Sequence, residues 1–462
     1  MQEQQRKYQA DTIVAPATAG GVAAISVIRL SGPEAIAIAD GLFPNKDLSK
    51  QASHSLHYGL WQWAGRVLDE VVIGLFKNPA SFTGEDIVEV SCHGSPYIVE
   101  QIVQSCLANG ARFADPGEFT QRAFLNGKLD LAQAEAVADT IAAQSASAHK
   151  AALNNLRGGF SRKLMQLREQ LIHFTALIEL ELDFSEEDVA FADRTQLYAL
   201  LERAETEIRR LIASFRLGNV VKNGVQVAIV GKPNAGKSTL LNALLQEERA
   251  IVSDIAGTTR DTIEEVLNIH GVLFRLIDTA GIREHTADDI ERAGVGRSMQ
   301  KMRSADVVLY LFDAGDDSDD IHQRLQELSR EKVKYLAIGN KMDLLGPEDQ
   351  EKVRKKIPEL VAISAKNQQG IDDLTALLYQ QVMQDLPSTE DTLLTNARHL
   401  HALEKTLTAL QAVQRGLDEG LSGDLVTPDI RQALYYLGSI TGEVQTDRDI
   451  LGAIFSKFCI GK

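Results

Sequence analysis

Residues 231–238 read Gly-Lys-Pro-Asn-Ala-Gly-Lys-Ser, a run of small residues that ends in a lysine and a hydroxyl. They follow the apolar run Val225–Val230 and precede a second apolar stretch of helical character. The spacing matches a P-loop, where backbone N–H groups and a helix N-terminus surround a polyphosphate. Lys237 is predicted to reach the β- and γ-phosphates, and the Ser238 hydroxyl is predicted to hold Mg²⁺. Taken alone, a match of this length could be accidental.

Four further motifs follow in a consistent order: Gly257–Asp261, Asp278–Gly281, Asn340–Asp343 and Ser364–Lys366. The first lies where a switch loop would close a threonine over Mg²⁺. The second follows an apolar strand, where the aspartate can reach Mg²⁺ through water and the glycine can sense the γ-phosphate. In the third, the aspartate can accept hydrogen bonds from N1 and the exocyclic amine of guanine, a donor pair that adenine lacks. Together with the fourth, which would close the base pocket, these motifs predict GTP rather than ATP.

The composition is typical of a folded multidomain protein. A length of 462 residues suggests about three domains. Hydrophobic residues make up 44% and charged residues 24%, which excludes disordered and fibrous classes. The net charge of −16 argues against binding nucleic acid through overall charge, although it does not exclude a local basic groove. Three scattered cysteines are too few for a disulfide framework or a structural zinc site.

The elements that must position the motifs can be outlined from the residue pattern. Strand-like runs and turns over residues 8–126 predict an α/β or α+β domain, and Ile13–Leu30 is interpreted as two buried strands around a glycine turn rather than a membrane span. After Asn223, short apolar runs alternate with helices, which predicts a parallel sheet covered on both faces. The acidic run Asp313–Asp320 is expected to be a solvated loop.

Two helical blocks flank the alternating region. One apolar stripe runs from Phe160 to Ile178 and another from Leu400 to Leu417, each at helical spacing. We expect these blocks to pack on each other, with the α/β unit inserted between them. The predicted fold is therefore multidomain: an α/β P-loop domain inserted into an all-α helical domain and preceded by an α+β N-terminal domain. The predicted boundaries are 1–126, 127–218, 219–382 and 383–462.

Several segments outside the nucleotide motifs resemble one family over essentially the whole chain, the MnmE (also called TrmE) tRNA modification GTPases. These segments are Asp11–Ile13, Ser81–Asp86, Pro116–Thr120, Asp130–Glu135 and the terminal Phe458–Lys462. The resemblance implies a K⁺-activated GTPase whose N-terminal domain binds folate and dimerises. It also implies that two GTPase domains meet across their nucleotide faces.

The sequence alone does not decide which residue orients the attacking water. Ile282 stands where many GTPases carry a glutamine that orients water, so another group must do this, and the candidates are Glu284, Asp288, Asp289 and Glu291. The resemblance singles out Glu291. It also implies K⁺ ligation by the Asn234 side chain. The backbone oxygens that it implies for K⁺ are those of Ser253, Ile255 and Thr258, and the Mg²⁺ ligands are Ser238 and Thr259. Motifs and resemblance together assign GTP contacts to Asn234, Ala235, Gly236, Lys237, Ser238, Thr239, Ser253, Asp254, Ile255, Ala256, Gly257, Thr258, Thr259, Asp278, Thr279, Ala280, Gly281, Asn340, Lys341, Asp343, Ser364, Ala365 and Lys366.

For the N-terminal domain, the resemblance implies a site for 5-formyltetrahydrofolate or a related one-carbon folate. The implied contacts are Arg29, Glu89, Lys128 and Lys462, and cationic and carboxylate groups suit the tail and the pterin edge of a folate. Two interpretations of Cys459 stay open: a catalytic thiol near the C-terminus, or a small buried residue. Without the resemblance, Arg29 and Glu89 would be read as structural residues of two strands.

The resemblance further implies a homodimer and a heterotetramer with the FAD-containing protein MnmG (GidA). Together they would add an aminomethyl or carboxymethylaminomethyl group to C5 of the wobble uridine, U34, of certain tRNAs. The chain itself lacks a Gly-x-Gly-x-x-Gly fingerprint after a strand, which fits a redox partner in trans. We expect a cytoplasmic protein with no membrane anchor. Two alternatives are a GTPase that docks on ribosomes during assembly and a scaffold that signals only by dimerising.

Overall fold

The computed structural model describes residues 11–183, 194–248, 265–277, 305–330, 333–384, 393–444, 451, 454–456, 458 and 461, to which all structural statements below refer. The chain divides into two compact units. The first comprises the chain up to Ile141, Ala152–Ile208 and the chain from His401. The second comprises Ala142–Ala151 and Arg209–Leu400.

The first unit contains a six-stranded sheet. Its strands are β1 (Ile13–Pro16), β2 (Ile25–Ser31), β3 (Ser55–Trp63), β4 (Arg66–Phe76), β5 (Ile87–His93) and β6 (Arg112–Phe113). The spatial order is β3-β4-β5-β2-β1-β6, and every neighbouring pair is antiparallel except β1 with β6. The prediction of two strands within Ile13–Leu30 is thus confirmed.

Helices complete the α+β character of the N-terminal domain. Helices α1 (Ala35–Leu42) and α2 (Pro96–Ala108) pack on one face of the sheet around buried side chains such as Trp61 and Ile102. Three helices follow: α3 (Glu118–Leu125), α4 (Leu131–Ala142) and α5 (Ala146–Leu156). Phe124 and Leu131 from this region share a small core with Phe455 and Phe458 near the C-terminus.

The predicted stripes lie on long helices. Helix α6 (Gly159–Asp183) carries the first stripe and α12 (Ala397–Asp418) the second, and most members of both stripes are buried. Helices α7 (Arg194–Asn223) and α13 (Gly423–Thr441) complete the set. Helix α13 packs along α6, where Arg168 and Glu443 form an ion pair. The expectation that the two helical blocks meet is therefore confirmed. None of the described helices is long and apolar enough to cross a membrane.

The second sheet has the order β12-β11-β10-β7-β9-β8. Its strands are β7 (Val225–Val230), β8 (Glu265–Ile269), β9 (Val272–Ile277), β10 (Val307–Asp313), β11 (Tyr335–Asn340) and β12 (Leu360–Ala362). All pairs are parallel except β8 with β9, a hairpin that the strand–helix pattern did not predict.

Helices cover both faces of this sheet, as predicted. They are α8 (Lys237–Glu248), α9 (Ser318–Arg330), α10 (Pro347–Lys356) and α11 (Ile371–Met383). The alternation along β10 shows the two faces directly. Leu309 and Leu311 pack with α8 and α11, whereas Tyr310 and Phe312 pack with α9. The C-terminal ends of the parallel strands therefore carry loops at one edge, where ligands of such sheets usually bind.

Candidate functional site

The P-loop lies between the end of β7 and the start of α8, where the sequence placed it. Two glycines are required by close backbone approaches. A Cβ on Gly231 would collide with the backbone carbonyl oxygen of Leu311, and one on Gly236 would collide with Nδ2 of the Asn340 side chain. Gly236 and Asn234 both have positive φ angles, +98° and +66°, so the loop turns sharply into the helix. This is the shape that turns backbone N–H groups toward an anion.

Lys237, the first residue of α8, lies across this loop. Its Nζ donates to the carbonyl oxygens of Gly231 at 2.8 Å and Lys232 at 2.9 Å. The side chain is partly buried, and this burial lowers the pKa of the amine below its ordinary value. Because both partners are neutral carbonyls, a phosphate anion is a stronger acceptor and can take their place. Ser238 follows in the first turn of the helix, partly exposed, and Thr239 is exposed.

The base-binding motifs converge on Asn340, which ends β11. This residue is only 3% exposed. Its Nδ2 donates to the carbonyl oxygen of Ala235 at 2.8 Å, and its Oδ1 accepts from the backbone N–H of Ala365 at 3.0 Å. One side chain thus joins the P-loop to the loop that follows β12. The structure therefore brings together three motifs, of which the P-loop lies more than a hundred residues before the other two in the chain.

The remaining base-site residues surround this junction. Lys341 has a left-handed backbone with φ +63°, and Asp343 lies exposed in the 3₁₀ turn Met342–Leu344. Ser364 and Ala365 are buried, whereas Lys366 is exposed. The exposed carboxylate of Asp343 is free of the core and can accept hydrogen bonds from a ligand.

One residue of this site was missed. The expectation of a solvated loop over Asp313–Asp320 is wrong at both ends of the run. Asp313 ends strand β10 and pairs with Lys341 at 2.7 Å, while Asp320 lies in helix α9 and pairs with Lys232 at 2.5 Å. A run of acidic residues after a strand gave no signal that its first member would face a lysine of another motif.

Part of the predicted site lies outside the described residues. This holds for the switch-loop residues 253–259, for Asp278–Gly281 and for Glu291. It also holds for two residues near the C-terminus, Cys459 and Lys462.

In the N-terminal domain, Arg29 and Glu89 face each other directly across β2 and β5. Nε and Nη2 of Arg29 donate to the same oxygen, Oε1 of Glu89, at 2.9 and 2.7 Å. The guanidinium carbon lies 5.6 Å from the ring centroid of Phe82 and 5.7 Å from that of Phe119. Two aromatic rings and one carboxylate therefore fix the orientation of this arginine.

Lys128 and Gly461 contact segments next to those that carry Arg29 and Phe82. Lys128 Nζ donates to the carbonyl oxygen of Pro79 at 3.1 Å, and its stem packs 3.3 Å from the position of a Cβ on Gly84. It thus contacts the 79–84 segment that also carries Phe82. Gly461 packs so closely on the backbone of Pro16 that no larger residue would fit. Pro16 belongs to the strand that pairs with the Arg29 strand.

A buried ionic network holds this region. Arg122, 1% exposed, contacts Asp11 at 2.6 Å, Glu118 at 3.0 Å and Glu85 at 3.2 Å. Arg112 contacts Glu118 at 2.6 Å and Asp11 at 2.9 Å. Burial alone would raise the pKa values of Asp11 and Glu118, but the hydrogen bonds and charges of the two arginines outweigh it and hold both below their ordinary values.

The three acids of this network come from motifs that suggested the family, yet the sequence gave no indication that they pair. The described cysteines, Cys92 and Cys106, are buried, and burial raises their thiol pKa values to about 11 and about 12. Both thiols therefore stay protonated and unreactive at neutral pH.

The chain is similar to known proteins over nearly its whole length. The model described as "MnmE helical domain" matches residues 131–459, and the model "GTP-binding protein TrmE N-terminus" matches residues 12–128. A protein of Cytophaga hutchinsonii is 54% identical over 453 residues, covering 98% of both chains. Proteins of Flavobacterium johnsoniae and Bacteroides thetaiotaomicron are 52% and 48% identical, covering 98% of this chain and 99% of each relative.

All three relatives are named tRNA modification GTPase MnmE. A solved structure of translation elongation factor SelB from Methanococcus maripaludis, in complex with the GTP analogue GppNHp, matches 36% of this chain and 34% of that one, with 19% identity and a TM-score of 0.26. The matched models and the relatives show that this chain is a GTP hydrolase and belongs to the MnmE (TrmE) family of tRNA modification GTPases.

Proposed function

We propose that this chain is a K⁺-activated GTPase that drives modification of the wobble uridine, U34, in certain tRNAs. In this proposal it works with an FAD-containing partner, MnmG (GidA), and adds an aminomethyl or carboxymethylaminomethyl group to C5 of the base. The observation that carries the GTP site is Asn340, whose amide joins Ala235 of the P-loop to Ala365 of the base loop. A nucleotide held at both its phosphates and its base requires these two loops to be fixed relative to each other.

At the phosphate end, the loop Gly231–Ser238 binds the anion through backbone N–H groups. Lys237 leaves its carbonyl partners and donates to the β- and γ-phosphates. Ser238 and Thr259 would hold Mg²⁺, which neutralises phosphate charge when bound. Glu291 orients the attacking water, since Ile282 has no group that can do so. At the base end, Asp343 accepts from guanine, and Asn340, Lys341 and Ser364–Lys366 frame the pocket.

The residues present also fit a monovalent cation. Asn234 is exposed, and its side-chain amide makes no hydrogen bond within the described part of the chain. Its oxygen is therefore available as a neutral ligand. The backbone oxygens of Ser253, Ile255 and Thr258 would complete the set. Bound K⁺ would supply the positive charge that an arginine finger supplies in other GTPases.

The proposed folate site is built around the Arg29–Glu89 pair, with Lys128 and Lys462 as further contacts. In the described structure, Nη1 of Arg29 and Oε2 of Glu89 make no hydrogen bond, so the pair retains one donor group and one acceptor for a ligand. Phe82, 37% exposed, lies beside them as an apolar wall. A flat ring that carries amine and carbonyl groups, as in 5-formyltetrahydrofolate or a related one-carbon folate, suits this arrangement.

In the proposal the chain forms a homodimer through the N-terminal domain and meets its partner also at the GTPase domains. Two features support the N-terminal contact. Leu56 and Tyr58 are 74% and 66% exposed and share one face of β3, opposite Gly74 and Val72 of β4. The same face of the sheet carries Arg29 and Glu89. An apolar sheet face of this kind favours association. The partner protein and tRNA would complete a heterotetramer-based enzyme in the cytoplasm.

We assign the proposed roles to four segments: residues 1–126 for folate binding and dimerisation, 127–218 and 383–462 for the helical domain, and 219–382 for GTP hydrolysis. Cys459 stays a candidate for the carbon-transfer chemistry.

The experiment that tests the proposal is nucleoside analysis of tRNA from a deletion strain carrying Lys237→Ala or Glu291→Ala. Both variants should accumulate as folded protein and leave the wobble uridine unmodified. Normal amounts of the modified nucleoside in these strains would contradict the coupling of hydrolysis to modification.

A further inference from the structure

Asp313 stands at the C-terminal end of β10, directly opposite Asn340 in the parallel pairing of β10 with β11. Both of its carboxylate oxygens have partners. Oδ1 accepts from the backbone N–H of Gly315 at 3.0 Å, and Oδ2 accepts from Nζ of Lys341 at 2.7 Å. The backbone N–H of Ala314 donates to the carbonyl oxygen of Asn340 at 2.9 Å. The end of β10 is therefore attached to both the backbone and the side chain of the Asn340–Asp343 turn.

The ion pair holds the turn at Lys341, the residue whose backbone conformation is least favourable. Lys341 adopts a left-handed backbone with φ +63°, a conformation that residues other than glycine rarely adopt. The turn then leads directly to the buried Met342 and the exposed Asp343. A contact that fixes the Lys341 side chain in the free protein lowers the cost of ordering this turn around a ligand.

The charges support the same role. Lys341 and Asp313 are 34% and 33% exposed, so their attraction is only partly screened by water. Burial alone would raise the pKa of Asp313, but the hydrogen bonds from Lys341 and Gly315 outweigh it and hold the pKa below its ordinary value. The carboxylate is therefore ionised at neutral pH and faces the ammonium group of Lys341.

We propose that Asp313 is a positioning residue of the guanine site: it holds Lys341, and through it the turn that carries Asp343, in the geometry that receives the base. The inference rests on the proposed GTP site and adds to it a residue that belongs to none of the nucleotide-binding motifs. Asp313 orders the base pocket before the nucleotide binds. Removing its carboxylate therefore changes nucleotide affinity and leaves the rate of hydrolysis nearly unchanged.

The test is GDP binding by the full-length protein, measured by calorimetry at low and high salt, together with GTP turnover. Asp313→Ala should weaken GDP binding about three- to tenfold, the range expected for losing one ordinary hydrogen bond that acts on the ligand only through Lys341. The kcat at saturating GTP should stay within about twofold of wild type. Asp313→Asn keeps the size and one acceptor, so it should bind GDP with intermediate affinity and melt like wild type.

Two controls make the result specific. Asp319→Asn removes an exposed carboxylate from the same acidic run and should leave GDP binding unchanged. In a double-mutant cycle, Lys341→Ala should make the loss caused by Asp313→Ala nearly vanish, because the two act through one contact. Equal GDP affinity in Asp313→Ala and Asp319→Asn, or fully additive losses in the cycle, would overturn the inference. Failure of the wild-type protein to bind GDP would instead remove the proposed site itself.

Discussion

The side-chain amide of Asn340 donates a 2.8 Å hydrogen bond from Nδ2 to the carbonyl oxygen of Ala235, which lies 105 residues earlier in the chain. Its Oδ1 accepts from the N–H of Ala365 at 3.0 Å, so the donor and acceptor ends of the amide are both used. A single buried side chain therefore fixes the distance between the loop for phosphates and the loop for the base.

Replacing this amide should weaken nucleotide binding strongly. Asn340→Ala leaves a buried carbonyl and a buried N–H without partners, each at a cost of about 1–3 kcal/mol. We expect GDP affinity in calorimetry to fall at least about tenfold, since 1.4 kcal/mol corresponds to a factor of ten. Asn367→Ala, an exposed amide in the neighbouring turn, is the control and should bind normally. Unchanged affinity in Asn340→Ala would show that the two loops do not need this connection.

The network around Arg122 should control the stability of the N-terminal domain. Arg122→Met leaves the buried Glu118 and its neighbours without a main cationic partner, which typically costs about 3–5 kcal/mol. The only two tryptophans, Trp61 and Trp63, both lie in β3, so tryptophan fluorescence during urea unfolding reports this domain within the full chain. Lys50→Ala, which breaks an exposed pair with Asp47, should change little. Similar midpoints for both variants would contradict the role of the network.

The same network sets a pH dependence. The folded-state pKa values of Asp11 and Glu118 lie below their ordinary values of 3.8 and 4.5. The stability that these carboxylates contribute is complete at neutral pH and is lost as the pH falls below about 4.5 and through the folded-state pKa values. We expect the tryptophan-monitored unfolding midpoint to drop in this acidic window. In Arg122→Met the drop should be smaller, and an equal drop in both proteins would contradict this origin.

Folate binding should depend on the Arg29–Glu89 pair but GTP hydrolysis should not. Glu89→Gln keeps the shape and removes the charge, while Arg29→Met removes the guanidinium and keeps an apolar stem. Each should weaken binding of 5-formyltetrahydrofolate by at least about tenfold in fluorescence titration, the loss typical of a charged hydrogen bond. GTP turnover should be unaffected. The matched control is Glu70→Gln, because Glu70 is a glutamate whose hydrogen bond from Tyr58 is exposed. Equal folate affinity in all variants would exclude this site.

The rate of GTP hydrolysis should depend on which monovalent cation is present. GTP turnover in K⁺ should exceed turnover in Na⁺ at equal ionic strength by at least about tenfold, since a positive charge at this place, supplied elsewhere by an arginine finger, is worth about 10³–10⁵ in rate. Asn234→Ala should lose most of this preference because its side-chain oxygen is gone, while Asn367→Ala should retain it. Equal rates in both salts for the wild-type protein would remove the cation from the mechanism.

The sequence predicted those parts of the structure that depend on local pattern. Val225–Val230 forms a strand over the predicted residues, and the Lys237 helix begins where the loop motif required. The features that the sequence did not predict are contacts between segments that are distant in the chain. The Asp313–Lys341 pair joins two strand ends, and the Arg122 network joins residues from four separate segments.

The N-terminal site shows the same division. No periodicity placed Phe82 beside Arg29, because that contact depends on a loop held by hydrogen bonds rather than on strand alternation. Strand β8 was missed for a related reason. Its five residues form a strand only because they pair with β9 across the turn at His270 and Gly271.

The central claim is that a guanine nucleotide binds on the loop around Lys237 and is selected by Asp343. The most direct measurement is equilibrium binding of GTP, ATP and XTP to the full-length protein and to Asp343→Asn in the presence of Mg²⁺. Wild-type protein should bind GTP but not ATP or XTP measurably. Asp343→Asn should bind XTP in place of GTP, because the substitution replaces one acceptor oxygen of the carboxylate with an NH₂ donor. Preference for ATP, or binding that ignores the Asp343→Asn change, would contradict the account.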